Sequence, residues 1–411
     1  MTERLYYHDS FLHEFEAKIE EVIPPSAAES RSGVVLDQTA FYPTSGGQVH
    51  DTGWISTGDE SGRVRVSEVA EMEDGRIVHY IEAEKASERG SRVQGIVDAA
   101  RRRDHMQQHS GQHVLSAAFI RLFNMPTVSF HMGEDYCSID LETAVLSQEQ
   151  VVAAEKLANE IVMENRAVGV RFVTQDEAAD LGLRKVPPVE RDKLRLIDIQ
   201  DFDLTACGGT HVQATGQIGC ILLRKMEKVK QGWRVEFVCG DRAIATARRD
   251  YGVLTDTAAL FSAHIWELPQ HVRKWQEDLR AARKQQDRLL EEIAELHARE
   301  LLAQTPETNG RKLVVKVFSD RDLAFIKLLA QKLTRLDSRV VALLGTTLDQ
   351  TSLVFARSPS QPFDMGALMK EAMSKLGGRG GGSKDLAQGG VPQAVNLEPL
   401  LQELQGKLRE H

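Results

Sequence analysis

The chain reads as an α+β protein in four parts: a small N-terminal β-barrel, an α+β domain carrying a metal site, a helical segment with coiled-coil spacing, and a small C-terminal α/β domain. Three observations predict this. Short alternating strands separated by turns fill the N-terminal stretch. Two pairs of metal-ligating residues follow, in a region that mixes helical and strand patterns. Beyond them apolar residues recur at spacings of three and four, and strands then alternate with a helix. At 411 residues the chain is too long for one ordinary core. The expected boundaries are 1–92, 93–252, 253–305 and 306–411.

The barrel rests on Phe15 to Ile19, Gly33 to Asp37, Arg63 to Val66 and Ile77 to Ile81, short strands between turn residues. In the second part, Ala99 to Phe123 lacks Pro and has apolar residues at helical spacing. An alternating stretch at Ser138 to Leu141, a helix from about Gln148 to Asn165 and a strand from Val168 to Val173 complete an antiparallel sheet with helices laid on it. The third part carries Val272, Trp275, Leu279, Ala282, Gln286, Leu289, Ile293 and Leu296, a heptad seam interrupted at Gln286. A coiled coil, an antiparallel helical hairpin, or a single amphipathic helix packed on its own domain would each account for it. The last part has strands at Lys312 to Phe318 and Val340 to Leu344, with a helix near Asp322 to Arg335 between them.

His109 and His113 form a His-x3-His pair, which a helix places on one face. Cys207 and His211 share that spacing, but the tandem Gly208 and Gly209 between them favour a tight turn, which can aim thiolate and imidazole at one point. One soft sulfur with three nitrogens suits zinc, one ion per chain. If all four side chains bind at once, the ion is closed and structural. If one stays off, a water or substrate oxygen can occupy the open position.

Composition narrows the setting. Four cysteines, one claimed by the metal, leave an odd remainder and no disulfide framework, as expected in a reducing cytoplasm. No basic and apolar leader opens the chain and no apolar run approaches membrane length, so a cytoplasmic protein without membrane association is expected. With 51 basic and 60 acidic side chains the formal charge is −9, so any contact with nucleic acid must be local. Basic residues accumulate between Arg224 and Arg249 and again at Arg101, Arg102 and Arg103, as RNA-binding patches or as solvated faces.

Three motifs in order carry a resemblance: Phe41-Tyr42-Pro43-Thr44-Ser45-Gly46-Gly47-Gln48, the His-x3-His run that follows Arg102-Arg103-Asp104-His105, and Cys207-Gly208-Gly209-Thr210-His211-Val212. They resemble the editing domain of alanyl-tRNA synthetases and of freestanding alanyl-tRNA editing proteins. The likeness continues through Trp233 to Gly240. It returns at Gly377 to Gly382, which is similar to the glycine-rich run of the C-terminal domain shared with DHH phosphoesterases. That run is either an ordered phosphate-approaching segment or a flexible linker. Ser383 and Lys384 stand before Asp385 where related runs often have Arg and Pro.

The resemblance implies a trans-editing hydrolase that cuts the ester joining a wrong amino acid, serine or glycine, to alanine tRNA. His109, His113, Cys207 and His211 would hold the zinc, with His211 as the fourth ligand or as a group near the attacking water. Gln112 would stand at the reacting centre, where many synthetase editing domains carry Thr. Thr39, Thr44, Ser45, Gly46, Gly47 and Gln48 would meet the substrate, Gly46 and Gly47 allowing close approach to the terminal adenosine. Arg102, Arg103, Arg379 and Lys384 would contact the tRNA, and the helical segment with the C-terminal domain would support a homodimer.

Several chemistries are not expected. The chain starts almost at the editing barrel, which leaves no room for an ATP-dependent activating domain. It has no Gly-x4-Gly-Lys-Ser/Thr phosphate loop, and Ser-Gly-Gln between His109 and His113 lacks the Glu of a metalloprotease. A noncatalytic tRNA-binding protein with a closed zinc is the alternative.

Overall fold

Six strands close the N-terminal barrel in the order Glu14–Ile23, Ser32–Leu36, Ile77–Ile81, Val64–Glu71, Gly53–Ser56 and Arg92–Val97. Alternation does the work: Phe15, Ala17 and Ile19 point inward while Glu14, Glu16 and Lys18 face solvent. The computed structural model describes residues 2–26, 29–56, 63–82, 88–181, 183, 193–393 and 395–410. Four barrel strands are those expected from their alternation. The strands at Gly53–Ser56 and Arg92–Val97 are additional, and the latter carries the barrel past residue 92 to Val97, because its backbone pairs with both Glu14 to Lys18 and Gly53 to Ser56.

Asp98 then caps helix α1, Ala99–Phe123, by accepting the amides of Ala100 and Arg101, and Asn124 in left-handed geometry ends it. Helix α1 is buried along most of its length, with Met106, Val114, Leu115 and Phe119 in the core it shares with helix α2, Gln148–Met163. Both pack on an antiparallel sheet ordered Ile221–Val229, Gly232–Cys239, Cys137–Leu141 and Thr127–Met132. A three-stranded antiparallel sheet, Val168–Val173, Leu194–Ile199 and Asp203–Ala206, delivers the chain directly to Cys207.

The chain divides into two compact units, Met1–Asp256 and Thr257–His411. In the second, a six-stranded sheet is covered on one face by the helix Leu323–Leu336 and on the other by Met365–Leu376 and Glu398–Glu410. The glycine-rich run is ordered. Arg379–Gly382 and Leu386–Gly390 pair as a hairpin at the sheet edge, with Met373 sulfur packed too close to Gly389 for any side chain there. The heptad segment forms one helix, Leu268–Gln304. Its buried stripe within this unit is Ala294, Ala298 and Leu302, packed on Leu323–Leu336. The 3-4 seam lies on other positions, and Trp275, Leu289 and Leu296 are exposed. No helix among the described residues is long and apolar enough to cross a membrane.

Candidate metal centre

Helix α1 presents His109 and His113 one turn apart, and the turn after Asp203–Ala206 presents Cys207 and His211 against them. One ligand atom from each of the four lies within 4.8 Å of every other. Cys207 Sγ is 3.4 Å from His109 Nε2 and 3.3 Å from His211 Nε2. With metal bonds of 2.0 to 2.3 Å, the edges of a tetrahedral zinc site are roughly 3.5 Å, so these residues fit that ion.

Two of the three imidazoles are hydrogen-bonded at the back. His109 Nδ1 is 2.7 Å from Gln48 Oε1, and Gln48 is itself fixed, its Nε2 donating to Thr210 Oγ1 at 2.9 Å. His211 Nδ1 lies 3.3 Å from Ser110 Oγ, which also accepts the amide of Val212. His113 Nδ1 faces Asp203 at 3.8 Å, an ion-pair approach beyond hydrogen-bond distance, and is buried without a hydrogen bond. Gln48 and Ser110 thus orient the His109 and His211 rings and leave their Nε2 atoms for a metal. Ser110, Asp203 and Thr210 escape a motif reading because a ligand's partner has no fixed sequence spacing, although all three lie within a few residues of a ligand.

Electrostatics favour a thiolate at Cys207. Burial alone would raise the Cys207 thiol, but the adjacent His109 and His211 rings and the hydrogen bonds from His109 and His113 outweigh it and hold the thiol well below its usual range. Burial lowers His211 to about 3, which favours the neutral ring, and its Nε2 faces the cluster 3.3 Å from Cys207 Sγ. Burial likewise opposes charge on His113, yet Asp203 and Cys207 raise it to about 9, so a metal has to displace a proton there. The Gly-Gly turn is sterically required. A β-carbon on Gly209 would lie 2.2 Å from His109 Cε1.

The Gly46-Gly47 loop forms a rim beside this centre. Thr44, Ser45, Gly46 and Gly47 are exposed, with Gly46 and Gly47 at φ of 58° and 85°. Gly47 carbonyl accepts Met132 N–H at 3.1 Å, and a β-carbon at Gly47 would meet the Phe130 carbonyl at 2.5 Å. Phe130 in turn packs on His109 with ring centroids 5.3 Å apart. This aromatic wall is not visible in any motif.

Three expected contacts are corrected by burial. Thr39 is fully enclosed in the barrel, hydrogen-bonded to His79 at 2.8 Å, so it cannot meet a substrate. Gln48 is equally enclosed and orients His109 instead. Arg102 is fully buried in an ion pair with Asp51 and donates to the carbonyls of Ser10 and Ala40, which removes it from any RNA surface. Arg103, Arg379 and Lys384 are exposed. Gln112 is half-buried and donates to Ser116 Oγ at 2.8 Å along its own helix. In the basic stretch, Arg224, Lys225, Arg234 and Arg242 pair with Asp250, Glu227, Asp140 and Asp104, as solvated structural faces do.

Comparison with known proteins agrees with this architecture. Residues 2–101 match the family model for class II (A) tRNA synthetases, residues 194–236 the second additional domain of threonyl and alanyl tRNA synthetases, and residues 310–410 the DHHA1 domain. The chain is 31% identical over 415 residues to the alanine–tRNA ligase of Pyrococcus furiosus, covering 99% of this chain and 44% of the ligase. The ligase of Archaeoglobus fulgidus is 31% identical over 419 residues, again with 44% of its length covered. The chain thus spans less than half of the ligases it matches. With the alanyl-tRNA editing protein AlaX-L of Pyrococcus horikoshii it shares 32% identity over 418 residues, 100% of this chain and 99% of that protein. With its barrel, its His and Cys cluster and its DHHA1 domain in that order, the chain belongs to the family of alanyl-tRNA editing proteins of the AlaX-L kind.

Proposed function

We propose that the chain hydrolyses the ester linking a wrong amino acid, serine foremost and glycine next, to alanine tRNA, with one zinc ion held by His109, His113, Cys207 and His211. The observation that carries this reading is the convergence of those four donors within 4.8 Å, with His109 and His211 hydrogen-bonded from behind. When bound, zinc supplies Lewis acidity at an ester that is already activated. His211 is either the fourth ligand, which closes the ion, or a group near the attacking water that leaves one position open, and the hydrolase reading needs the open form. Gly46 and Gly47 admit the terminal adenosine at the rim, while Thr44 and Ser45 offer hydrogen bonds to it or to the serine hydroxyl. A site that pairs with that hydroxyl rejects alanine, because alanine would leave its polar groups unmatched. Gln112 lies beside the ligand helix face and shapes the pocket through Ser116. Arg103, Arg379 and Lys384 contact tRNA phosphates, the protein acts in the cytoplasm, and the exposed seam of Leu268–Gln304 supports a homodimer.

A closed four-ligand site favours a second reading, a tRNA-binding protein with a structural zinc. Deacylation of seryl-, glycyl- and alanyl-tRNA by the purified chain, with and without chelator, separates them. The hydrolase reading expects loss of serine from alanine tRNA, sparing of alanine, and collapse of the rate with the metal. Tight tRNA binding without deacylation would establish the alternative. In the same assay Cys207→Ala should lose zinc and activity together; full activity in a zinc-free Cys207→Ala protein would remove the metal from the mechanism.

A further inference from the structure

Arg195 is 7% exposed and lies in the strand Leu194–Ile199. Its carbonyl accepts Cys207 N–H at 3.1 Å, and its guanidinium folds back over the same turn. Nη1 donates to the carbonyls of Cys207 at 2.7 Å and Gly209 at 2.9 Å, while Nε donates to Tyr7 carbonyl at 3.0 Å. One side chain thereby ties the thiolate turn to its own strand and to the N-terminal segment ahead of the barrel. Among the described residues it has no carboxylate partner, and its Nη2 is buried without a hydrogen bond. A cation so placed is costly to bury. What it holds explains the placement: a turn with two successive glycines, whose ordering costs more backbone entropy than any other residue pair and which has no β-carbons to brace it.

We propose that Arg195 is a positioning residue for the metal, clamping the carbonyls on both sides of Gly208 so that Cys207 stands in its ligating conformation before the ion arrives. The inference rests on the zinc reading above and deepens it. The planar fork is essential, because a lysine ammonium cannot reach both carbonyls and Tyr7 at once.

The test uses the full-length chain with Arg195→Lys and Arg195→Gln. Zinc dissociation constants are measured by competition with a chromophoric chelator, and melting temperatures are recorded for metal-free and zinc-loaded protein. Both variants should bind zinc about 10- to 100-fold more weakly, as loss of a ligand-orienting partner does. The stabilisation that zinc confers should shrink accordingly. A merely structural role would lower both melting temperatures together and leave the dissociation constant unchanged, which overturns the proposal. Full restoration by Arg195→Lys would assign the effect to charge alone and overturn it also. If Arg195→Gln does not fold, the lysine variant decides. A wild-type chain that takes up no zinc is a different result: it removes the metal reading, and this proposal with it, before any variant is compared.

Discussion

At the scale of single residues, the centre depends on what is missing as much as on what is present. Gly209 leaves the space that His109 occupies, since a β-carbon there would sit 2.2 Å from Cε1 and 2.4 Å from Nδ1 of that ring. Its backbone neighbours are pinned, so the ring must give way. Gly209→Ala is therefore expected to weaken zinc binding at least about tenfold, as displaced ligands do, while the far-UV spectrum stays native. Chelator competition measures this. Zinc affinity equal to wild type would mean that the turn shifts without moving His109.

At the scale of elements, the barrel and helix α1 are joined by a buried ion pair and stiffened by a buried histidine. Arg102 on α1 and Asp51 on the loop after the glycine motif are both wholly enclosed, and Ser10, whose carbonyl Arg102 holds, accepts His211 N–H through its hydroxyl. Arg102→Met leaves Asp51 as an unpaired buried charge and should cost about 3–5 kcal/mol in urea unfolding. A cost below about 1 kcal/mol would show that Asp51 escapes to water or takes up a proton. In the barrel, His79 bonds to Thr39 and the Val34 carbonyl, and burial lowers it to about 4. Its folded value lies below its unfolded one. The unfolded chain therefore binds the extra proton between about pH 6.5 and pH 4, and this contribution to stability is complete above that window and lost as pH falls through it. Going from pH 7 to pH 5, His79 should remove about 2 kcal/mol. His79→Gln should lose that part of the slope, and an unchanged slope would assign it to other groups such as His105, which burial lowers to about 3.

For the whole molecule, every proposed zinc ligand and each partner that braces one falls within Met1–Asp256. The core of α1, α2 and the four-stranded sheet is likewise contained in that unit. A chain ending at Asp256 should therefore keep its zinc and a kcat within about threefold of the full protein, while KM for seryl-tRNA rises through loss of the anchoring unit. Assays at saturating and at limiting substrate distinguish the two constants. Collapse of kcat in a folded, zinc-loaded truncation would place part of the reacting centre in Thr257–His411.

What the sequence alone determined was local. Period-two alternation in Phe15 to Ile19, the helical spacing of Ala99 to Phe123, the one-turn spacing of His109 and His113 and the Gly-Gly turn before His211 are each specified by neighbours along the chain. The likeness of three ordered motifs pointed to the editing family for the same reason. Tertiary structure decided which polar residues face the site and which are sealed away. Thr39, Gln48 and Arg102 read as available donors, but the barrel interior takes Thr39 through His79, His109 and Thr210 take Gln48, and Asp51 takes Arg102. Arg195 and Asp203 carry no signal of their own and acquire roles only where the hairpin Leu194–Ile199 and Asp203–Ala206 swings back beside Cys207. The helix Leu268–Gln304 shows the same division: its length and amphipathicity follow from its spacing, yet the stripe it buries is Ala294, Ala298 and Leu302, because small side chains let the helix Leu323–Leu336 approach. Burial and partner choice are sums over contacts distant in sequence, and no periodicity along one segment encodes them.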